Sequence, residues 1–321
     1  MAKAKSGISR RTLTAGAATL VTAGATVSAA HAQAPDAPKV KYKPNPPPVK
    51  ITLPKMTRGY ANGPYGQVHY QDGGKGQPLV LIHQAPMSSR QFENVFKPFM
   101  DRGMRPIAVD CPGFGNSDPT TFVPKVEDWA KAVPAVLDHL GIKQADVLGH
   151  HTGGMVATEV EQQFPDRVRK LVIAGPLPMS EEERQNFLDG NQRSEIDFVY
   201  QADGSHLVAS FKGRQRMYQQ SGEEPDPKLI TRYTIEKFWG YAPFWYGHHA
   251  AFLYNHNNSI PKIKKPTLII TNTGDQIYEN AKLTRKMRPD FAFVELQGGG
   301  IDIVDQKPDA WADAVVKFLK A

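Results

Sequence analysis

The stretch that decides the fold is Ala145-Asp146-Val147-Leu148-Gly149-His150-His151-Thr152-Gly153-Gly154-Met155. Its apolar run ends at Gly149, and a helical pattern begins at Thr152. This layout predicts a tight turn between a buried strand and a helix, with its central residue, His151, in a strained backbone conformation. The positions two residues to either side, Gly149 and Gly153, carry no side chain, which is what so close a turn requires.

From about Thr57 onward, short apolar runs alternate with helical patterns. The inner runs are continuous in Leu, Val and Ile, as expected for parallel strands covered on both faces. Strands are predicted at 67–71, 79–83, 106–110, 145–149, 171–174, 267–271 and 292–296. Helices are predicted at 89–102, 125–140, 152–164, 278–287 and 309–319. This alternation predicts an α/β fold with a doubly wound, mostly parallel sheet.

The strand pattern lapses between Pro176 and Pro261, where the sequence is rich in Phe, Tyr, Trp and His. We therefore predict a helical cap at 178–261, inserted into a core formed by 57–177 and 262–321. The aromatic residues of the cap either line an apolar cavity or anchor the cap to the sheet, and the sequence does not separate the two.

The first residues are typical of an export signal. Ser9-Arg10-Arg11-Thr12-Leu13 resembles a twin-arginine motif, a mild Ala/Gly/Thr/Val stretch follows, and Ala30-His31-Ala32 offers a cleavage site. We expect residues 1–32 to be a signal peptide and the mature protein to be periplasmic or secreted, without a stable membrane anchor. The Pro-rich residues 33–56 are predicted to form an extended arm.

The net charge of +7 comes largely from the signal, which carries four cations and no acid. The remainder has 35 basic and 32 acidic residues, so nucleic acid is not an expected partner. Cys111 is the only cysteine, which excludes an internal disulfide. A core of ordinary composition must therefore stabilise the domain.

Three further segments carry a family resemblance. The stretch 81–89 looks like a His-Gly-x-Pro loop with Gln84 in place of the glycine, 109–118 is similar to D-x-x-G-x-G-x-S, and 296–301 resembles a last strand with its histidine loop. With the turn at His151 in the place of a nucleophile elbow, residues 57–321 resemble the α/β-hydrolase fold superfamily. The layout is most similar to its capped haloalkane dehalogenase, epoxide hydrolase and C–C hydrolase branch, which implies an eight-stranded sheet.

The resemblance implies a nucleophile, a histidine, an acid and two backbone oxyanion donors. Asp275 matches the acid position, and the donors would be the amides of Ala85 and Thr152. The nucleophile position holds His151, however, and the usual position of the catalytic histidine falls on Ile301. Since no histidine follows His256, the ordinary triad is absent.

Three interpretations of His151 remain open. It could be a covalent nucleophile, or a general base paired with Asp275, because an imidazole reaches farther than a hydroxyl. It could also belong to a binding pocket whose catalytic apparatus has decayed. His248, Trp245 and Tyr246 are possible pocket residues on the cap, although cap packing explains them equally well.

We expect a small, fairly apolar ester, lactone or related electrophile as substrate, hydrolysed at an unusual site containing His151 and Asp275. The alternatives are a non-catalytic ligand-binding protein and a cofactor-free lyase or isomerase that uses His151 as base. No metal is expected, because adjacent histidines such as His150 and His151 point in different directions. No cofactor is expected either, since nucleotide-binding spacing is missing. The oligomeric state is left open.

Overall fold

The computed structural model describes residues 55–321. The predicted signal peptide and nearly all of the predicted Pro-rich arm lie outside this range. Within it, one sheet has the strand order β1-β2-β4-β3-β5-β6-β7-β8. The strands are β1 Met56–Gly63, β2 Gly66–Gly73, β3 Gln77–Ile82, β4 Met104–Val109, β5 Ala145–His150, β6 Val168–Ala174, β7 Thr267–Asn272 and β8 Ala292–Leu296.

Strands β1 and β2 pair antiparallel with each other, β2 pairs antiparallel with β4, and all other pairings are parallel. The predicted doubly wound, mostly parallel, eight-stranded fold is confirmed. Strand β1 had no counterpart in the strand pattern because it is an edge strand whose only buried residue is Ala61. It therefore lacks the alternation that reveals a half-buried strand.

Two apolar layers cover the sheet, one on each face. Successive residues of a strand point to opposite faces. In β3, accordingly, Val80 and Ile82 belong to one layer, and Leu79 and Leu81 to the other. Because both layers need apolar residues, the inner strands appear in the sequence as continuous apolar runs.

The core helices are α1 Glu93–Asp101, α2 Val126–Ala130, α3 Ala132–His139, α4 Thr152–Gln163, α11 Tyr278–Met287, α12 Ile303–Gln306 and α13 Pro308–Lys320, with 3₁₀ turns at Ser89–Phe92 and Pro165–Arg167. The helix predicted at 125–140 is wrong as one piece. Pro134 has no N–H for the carbonyl of Ala130, so α2 and α3 separate at Lys131. The helix predicted at 89–102 begins with the first of these 3₁₀ turns, as helices often do.

The segment between β6 and β7 is helical. It contains α5 Glu181–Phe187, a π-helical turn Leu188–Gln192, α6 Arg193–Ile196, α7 Ser205–Gln220, α8 Pro227–Lys237, α9 Tyr246–Leu253, α10 His256–Ser259 and the 3₁₀ turn Ile260–Lys262. Of its aromatic residues, Trp239 and Tyr241 are 63% and 69% exposed, whereas Phe244 is buried. Within residues 55–321, no helix has the length and apolar character needed to cross a membrane.

Two buried ion pairs connect this segment to the loop after β8 and to the short helix α12 that follows it. Arg214 of α7 donates from Nε to Asp302 at 2.9 Å and makes a second bond to the same carboxylate. Arg232 of α8 donates to Asp305 at 2.5 Å. Both acidic side chains are fully buried, so the helices of the insert and this loop share a desolvated charge network.

Candidate active site

His151 occupies the turn between β5 and α4 with φ 50° and ψ −116°. It is the only non-glycine residue within 55–321 with a positive φ. The turn is so close that a Cβ on Gly149 would lie 1.9 Å from the carbonyl oxygen of Gly153. A Cβ on Gly153 would in turn lie 2.1 Å from the carbonyl oxygen of Ile82. The glycine spacing therefore enforces the strained conformation that projects His151 from the carboxyl end of the sheet.

The imidazole of His151 reaches Asp275. Its Nε2 lies 2.9 Å from Oδ2 of Asp275, and the two side chains are 12% and 2% exposed. Asp275 follows β7, and its other oxygen accepts a hydrogen bond from the amide of Ile277 at 3.1 Å. The acid therefore orients the imidazole and also accepts a hydrogen bond at the start of α11.

Gly175 makes room for this contact. Strand β6 lies between β5 and β7, so the ring of His151 passes over the end of β6. A Cβ on Gly175 would lie 2.7 Å from Cδ2 and 3.1 Å from Nε2 of His151. Gly175 also has φ 74°, a region that favours glycine. A residue with any side chain here would block the path from His151 to Asp275.

Asp275 is held in its charged form. Burial opposes ionisation, but the adjacent His151 and the amide of Ile277 outweigh it and lower the pKa of the Asp275 carboxyl. A carboxylate accepts hydrogen bonds only, so Nε2 of His151 is the protonated nitrogen. Nδ1, which hydrogen-bonds no residue of the described chain, then carries the lone pair. The free lone pair is on the ring nitrogen closer to the backbone turn.

The predicted oxyanion donors lie on adjacent loops. Strands β3 and β5 pair with Ile82 beside Gly149, so the loops that carry Ala85 and Thr152 leave neighbouring strands at the same end of the sheet. Neither amide donates to a carbonyl or side chain among residues 55–321. Free backbone N–H groups at such a place can stabilise a negative oxygen.

His83 braces the loop that carries Ala85. Its Nδ1 donates to the carbonyl oxygen of Gln84 at 2.8 Å, and its Nε2 accepts from the amide of Cys111 at 3.0 Å. Burial lowers the pKa of His83, which keeps the ring neutral, as this pair of bonds requires. The side chain of Gln84 is itself buried, and neither of its polar atoms finds a partner in the described chain.

A known protein family matches the part of the chain that carries Ala85, His151 and Asp275. The family model described as alpha/beta hydrolase fold matches residues 77–304. The chain belongs to the alpha/beta hydrolase family. The predicted family is thereby confirmed.

Two curated hydrolases are among its relatives. The 2-hydroxy-6-oxononadienedioate/2-hydroxy-6-oxononatrienedioate hydrolase of Paraburkholderia phymatum is 38% identical over 114 residues, which are 34% of this chain and 40% of that protein. The 2-hydroxy-6-oxo-6-phenylhexa-2,4-dienoate hydrolase of Comamonas testosteroni is 31% identical over 117 residues, with the same coverages of 34% and 40%. The matched part of the chain thus spans about two fifths of the length of these relatives.

Solved structures of the alpha/beta hydrolase fold agree over a longer stretch. The bromoperoxidase from Bacillus anthracis superposes with a TM-score of 0.70 at 21% identity, covering 83% of this chain and 100% of that one. An epoxide hydrolase from Vigna radiata gives a TM-score of 0.66 at 15% identity, covering 83% and 98%. At these identities the likeness concerns the fold alone.

The loop after β8 carries Ile301, which the sequence pattern predicted to stand at the position of the catalytic histidine. The carbonyl oxygen of Ile301 accepts a hydrogen bond from Nε2 of His150 at 2.8 Å. The ring of His150 packs 4.6 Å from that of His151, centroid to centroid. Burial lowers the pKa of His150 to about 3, so the ring stays neutral. His150 therefore supports both the loop and the neighbouring imidazole.

The three predicted cap residues form no hydrogen bond to His151 or Asp275 within the described chain. Nδ1 of His248 lies 2.9 Å from both carboxylate oxygens of Glu195, inside the cap. Trp245 packs edge-on against Tyr246 at 4.6 Å, and Tyr246 lies against the apolar layer on one face of the sheet. No hydrogen bond within the described chain joins any of the three to His151. The described residues also contain no cluster of His, Cys, Asp or Glu suited to a metal ion.

Two histidines for which the sequence suggested no role are buried supports. Nδ1 of His69 lies 2.8 Å from Asp110, whose other oxygen accepts the amide of Ser89 at 2.5 Å. His256 accepts the amide of Leu177 and contacts the hydroxyl of Thr158 on α4, both at 3.2 Å. These bonds join residues far apart in the chain, so no local pattern indicated them. Gly175 was also overlooked, although a glycine directly after a parallel strand is a signal that could have been weighed.

Proposed function

We propose that this alpha/beta hydrolase-family protein is a hydrolase in which His151 acts as a general base. The observation that carries the proposal is the 2.9 Å contact between Nε2 of His151 and Asp275, because it leaves Nδ1 as the proton acceptor. This orientation differs from that of an ordinary Ser-His-Asp triad, where Nδ1 faces the acid. Here the proposed base, His151, is itself the central residue of the turn between β5 and α4.

The reaction follows from these positions. A water molecule at Nδ1 of His151 gives up a proton as its oxygen attacks the substrate carbonyl carbon. The resulting oxyanion accepts hydrogen bonds from the amides of Ala85 and Thr152. The tetrahedral intermediate collapses, the bond to the leaving group breaks, and the imidazolium returns its proton to the departing oxygen. Asp275 stays ionised and stabilises the imidazolium.

We favour the base over the covalent nucleophile for a structural reason. An acyl group on His151 would need a second base to activate water for its removal. Among the described residues, the nearest imidazole is that of His150, which holds the carbonyl of Ile301 and whose pKa burial lowers to about 3. A one-step attack by water needs no second base.

The proposed substrate is a small, fairly apolar ester, lactone or related electrophile. The curated relatives are named as hydrolases, and one solved structure of the same fold is an esterase from Exiguobacterium antarcticum. A general base at this site could also remove a proton from a carbon atom. The export of the protein through residues 1–32 remains a prediction, to be tested by locating the tagged full-length chain in cell fractions.

A panel of p-nitrophenyl esters and small lactones tests the proposal. Replacing His151→Ala should lower kcat/KM by about 10²–10⁴-fold. The matched control is His248→Ala, which removes an imidazole bound to Glu195 on the cap and should leave turnover unchanged. If the folded protein turns over none of these compounds but binds them, it is a binding protein and the proposal is wrong.

Rapid acid quench followed by mass spectrometry separates base from nucleophile. Under burst conditions with an activated ester, we expect His151 to carry no acyl group. An acylated His151 that forms and decays at the rate of turnover would replace general-base attack with covalent catalysis.

A further inference from the structure

Helix α8, in the helical segment between β6 and β7, bonds to the loop that carries the proposed oxyanion donor Ala85. Glu236 of this helix accepts a hydrogen bond from the hydroxyl of Ser88 at 2.9 Å. The two residues stand 148 positions apart in the chain, and both are buried. The bond therefore joins the helical segment to the oxyanion loop away from water, where a hydrogen bond is electrostatically stronger than at the surface.

Ala85 lies inside a tight turn that ends next to Ser88. The amide of Met87 closes this turn by donating to the carbonyl oxygen of Gln84 at 2.9 Å. At the beginning of the turn, the amide of Gln84 donates to Oε1 of Gln91 at 2.9 Å. A side chain of the core therefore holds the beginning of the turn, and the bond to helix α8 holds its end.

Ser88 is the one residue of the described chain that donates a hydrogen bond to the carboxyl group of Glu236. The other oxygen, Oε1, is buried and has no hydrogen-bond partner among residues 55–321. Nε of Arg232 lies 3.6 Å from it, beyond a direct hydrogen bond. Loss of the bond to Ser88 would leave a buried carboxyl group without any hydrogen bond, so the positions of Ser88 and Glu236 are coupled.

Helix α8 is itself anchored one turn before Glu236. The guanidinium of Arg232 and the hydroxyl of Tyr233 both donate to Oδ2 of Asp305, at 2.5 and 2.6 Å. Asp305 belongs to α12, which follows the last strand of the sheet. Because the core fixes helix α8 at this point, the carboxyl group of Glu236 is a defined anchor for the oxyanion loop.

Helix α9 packs on the same loop. A Cβ on Gly247 would lie 2.2 Å from Cβ of Ala85, so the backbone of the helix lies directly against the proposed donor residue. This steric contact resists a movement of the loop toward the helical segment, and the bond from Ser88 to Glu236 resists a movement away from it.

We propose that Glu236 is a positioning residue, which acts through Ser88 to hold the amide of Ala85 where the oxyanion of the proposed hydrolysis forms. The inference rests on the proposed function, because the oxyanion forms only when a carbonyl carbon is attacked. An oxyanion donor stabilises the transition state more than the bound substrate. A displaced donor should therefore lower kcat and leave KM nearly unchanged.

Three variants and a matched control test the inference. Glu236→Leu removes the acceptor, Ser88→Ala removes the donor, and Glu236→Gln keeps an acceptor oxygen for Ser88. The control is Tyr254→Phe. The hydroxyl of Tyr254 donates to the buried carboxyl group of Glu159 at 2.6 Å, so it also joins the helical segment to the core, but at α4 instead of at the oxyanion loop.

We expect Glu236→Leu and Ser88→Ala each to lower kcat for p-nitrophenyl esters by about tenfold or more. The double variant should lose no more than either single variant, because all three remove the same bond. Glu236→Gln and Tyr254→Phe should retain most of the wild-type kcat. The inference is wrong if the two single losses multiply in the double variant, if Tyr254→Phe loses as much, or if KM rises while kcat is kept.

The backbone amide of Ala85 gives a second measurement, which does not require turnover. In amide NMR spectra, its resonance should move in Glu236→Leu and stay close to its wild-type position in Glu236→Gln and Tyr254→Phe. An unmoved resonance in Glu236→Leu overturns the inference whatever the activity. Should Glu236→Leu not fold, Ser88→Ala takes its place in both measurements. If the resonance moves but the wild type hydrolyses none of the esters, the proposed function fails and the structural link from Glu236 to Ala85 stands.

Discussion

A methyl group on Gly175 would lie 2.7 Å from Cδ2 of His151. Gly175 and His151 directly follow the neighbouring strands β6 and β5, and the ring of His151 occupies the space that a side chain on Gly175 would fill. The rotamer of His151 that reaches Asp275 therefore requires a residue without a side chain at position 175. The contact between His151 and Asp275 depends on Gly175, a residue that takes no part in the proposed reaction.

Gly175→Ala should lower kcat/KM by about 10²-fold or more, because a displaced base loses the geometry that proton transfer needs. The same substitution also strains a positive φ, and Gly141→Ala controls for this. Gly141 has φ 68°, and a Cβ added to it would meet nothing within 4 Å, so that variant carries the backbone strain without the clash. Equal activity loss in both variants would contradict a specific role for Gly175.

Asp275→Asn should also lower kcat by about 10²–10⁴-fold. An amide in place of the carboxylate can donate to Nε2 of His151, which would place the ring proton on Nδ1 and remove the acceptor from the reaction. Circular dichroism and thermal unfolding would establish that the variant is folded. Undiminished turnover in a folded Asp275→Asn protein would show that the acid does not set the tautomer.

Restoring the ordinary triad tests whether the fold retains the rest of the machinery. The double variant His151→Ser with Ile301→His should show esterase activity through an acyl-serine intermediate, detectable by mass spectrometry after acid quench. His151→Ser alone should be inactive, because it has a nucleophile without a base. Activity of the single variant equal to that of the double variant would refute this expectation.

Glu236 makes the stability of the folded state depend on pH. Burial raises the pKa of this carboxyl from 4.5 to about 7, although Ser88 donates to it at 2.9 Å. The folded state therefore holds a proton that the unfolded state has released, and this group destabilises the fold progressively as pH rises from 4.5 to about 7.

Glu236→Gln removes that dependence. Relative to wild type, the variant should gain about 3 kcal/mol in free energy of unfolding between pH 4.5 and pH 8. Urea denaturation across this range measures the gain, and the exposed Glu182→Gln is the control. A gain that appears only at acid pH would reverse the sign and contradict the assignment.

The pair Arg214–Asp302 should behave as a buried ion pair. Arg214→Met leaves the fully buried carboxylate of Asp302 unpaired and should cost about 3–5 kcal/mol of stability. Adding Asp302→Leu should recover much of that loss, because no unpaired charge remains. Chemical denaturation of the two variants checks this, and a double variant less stable than Arg214→Met would argue against it.

Local patterns in the sequence predicted the strand-turn-helix at His151 and the placement of Asp275. Both depend on glycine spacing and on which residues end apolar runs, and these are properties of short segments. The contact between Arg214 and Asp302 joins residues 88 positions apart, so no short segment contains it. The orientation of the His151 ring depends on Gly175, which becomes its neighbour only after the sheet has formed.

The free nitrogen of His151 and the amide of Thr152 belong to consecutive residues of one rigid turn. Covalent bonds therefore fix the spacing between the proposed proton acceptor and one of the proposed oxyanion donors. In the ordinary triad of this fold, the histidine instead comes from a loop much later in the chain than the nucleophile. With His151 as the proposed base, the loop after β8 supplies no catalytic histidine, and the loop and α12 bind helices α7 and α8 through Asp302 and Asp305. That loop can therefore be engineered without moving a catalytic histidine, provided that the hydrogen bond from His150 to the carbonyl of Ile301 is kept.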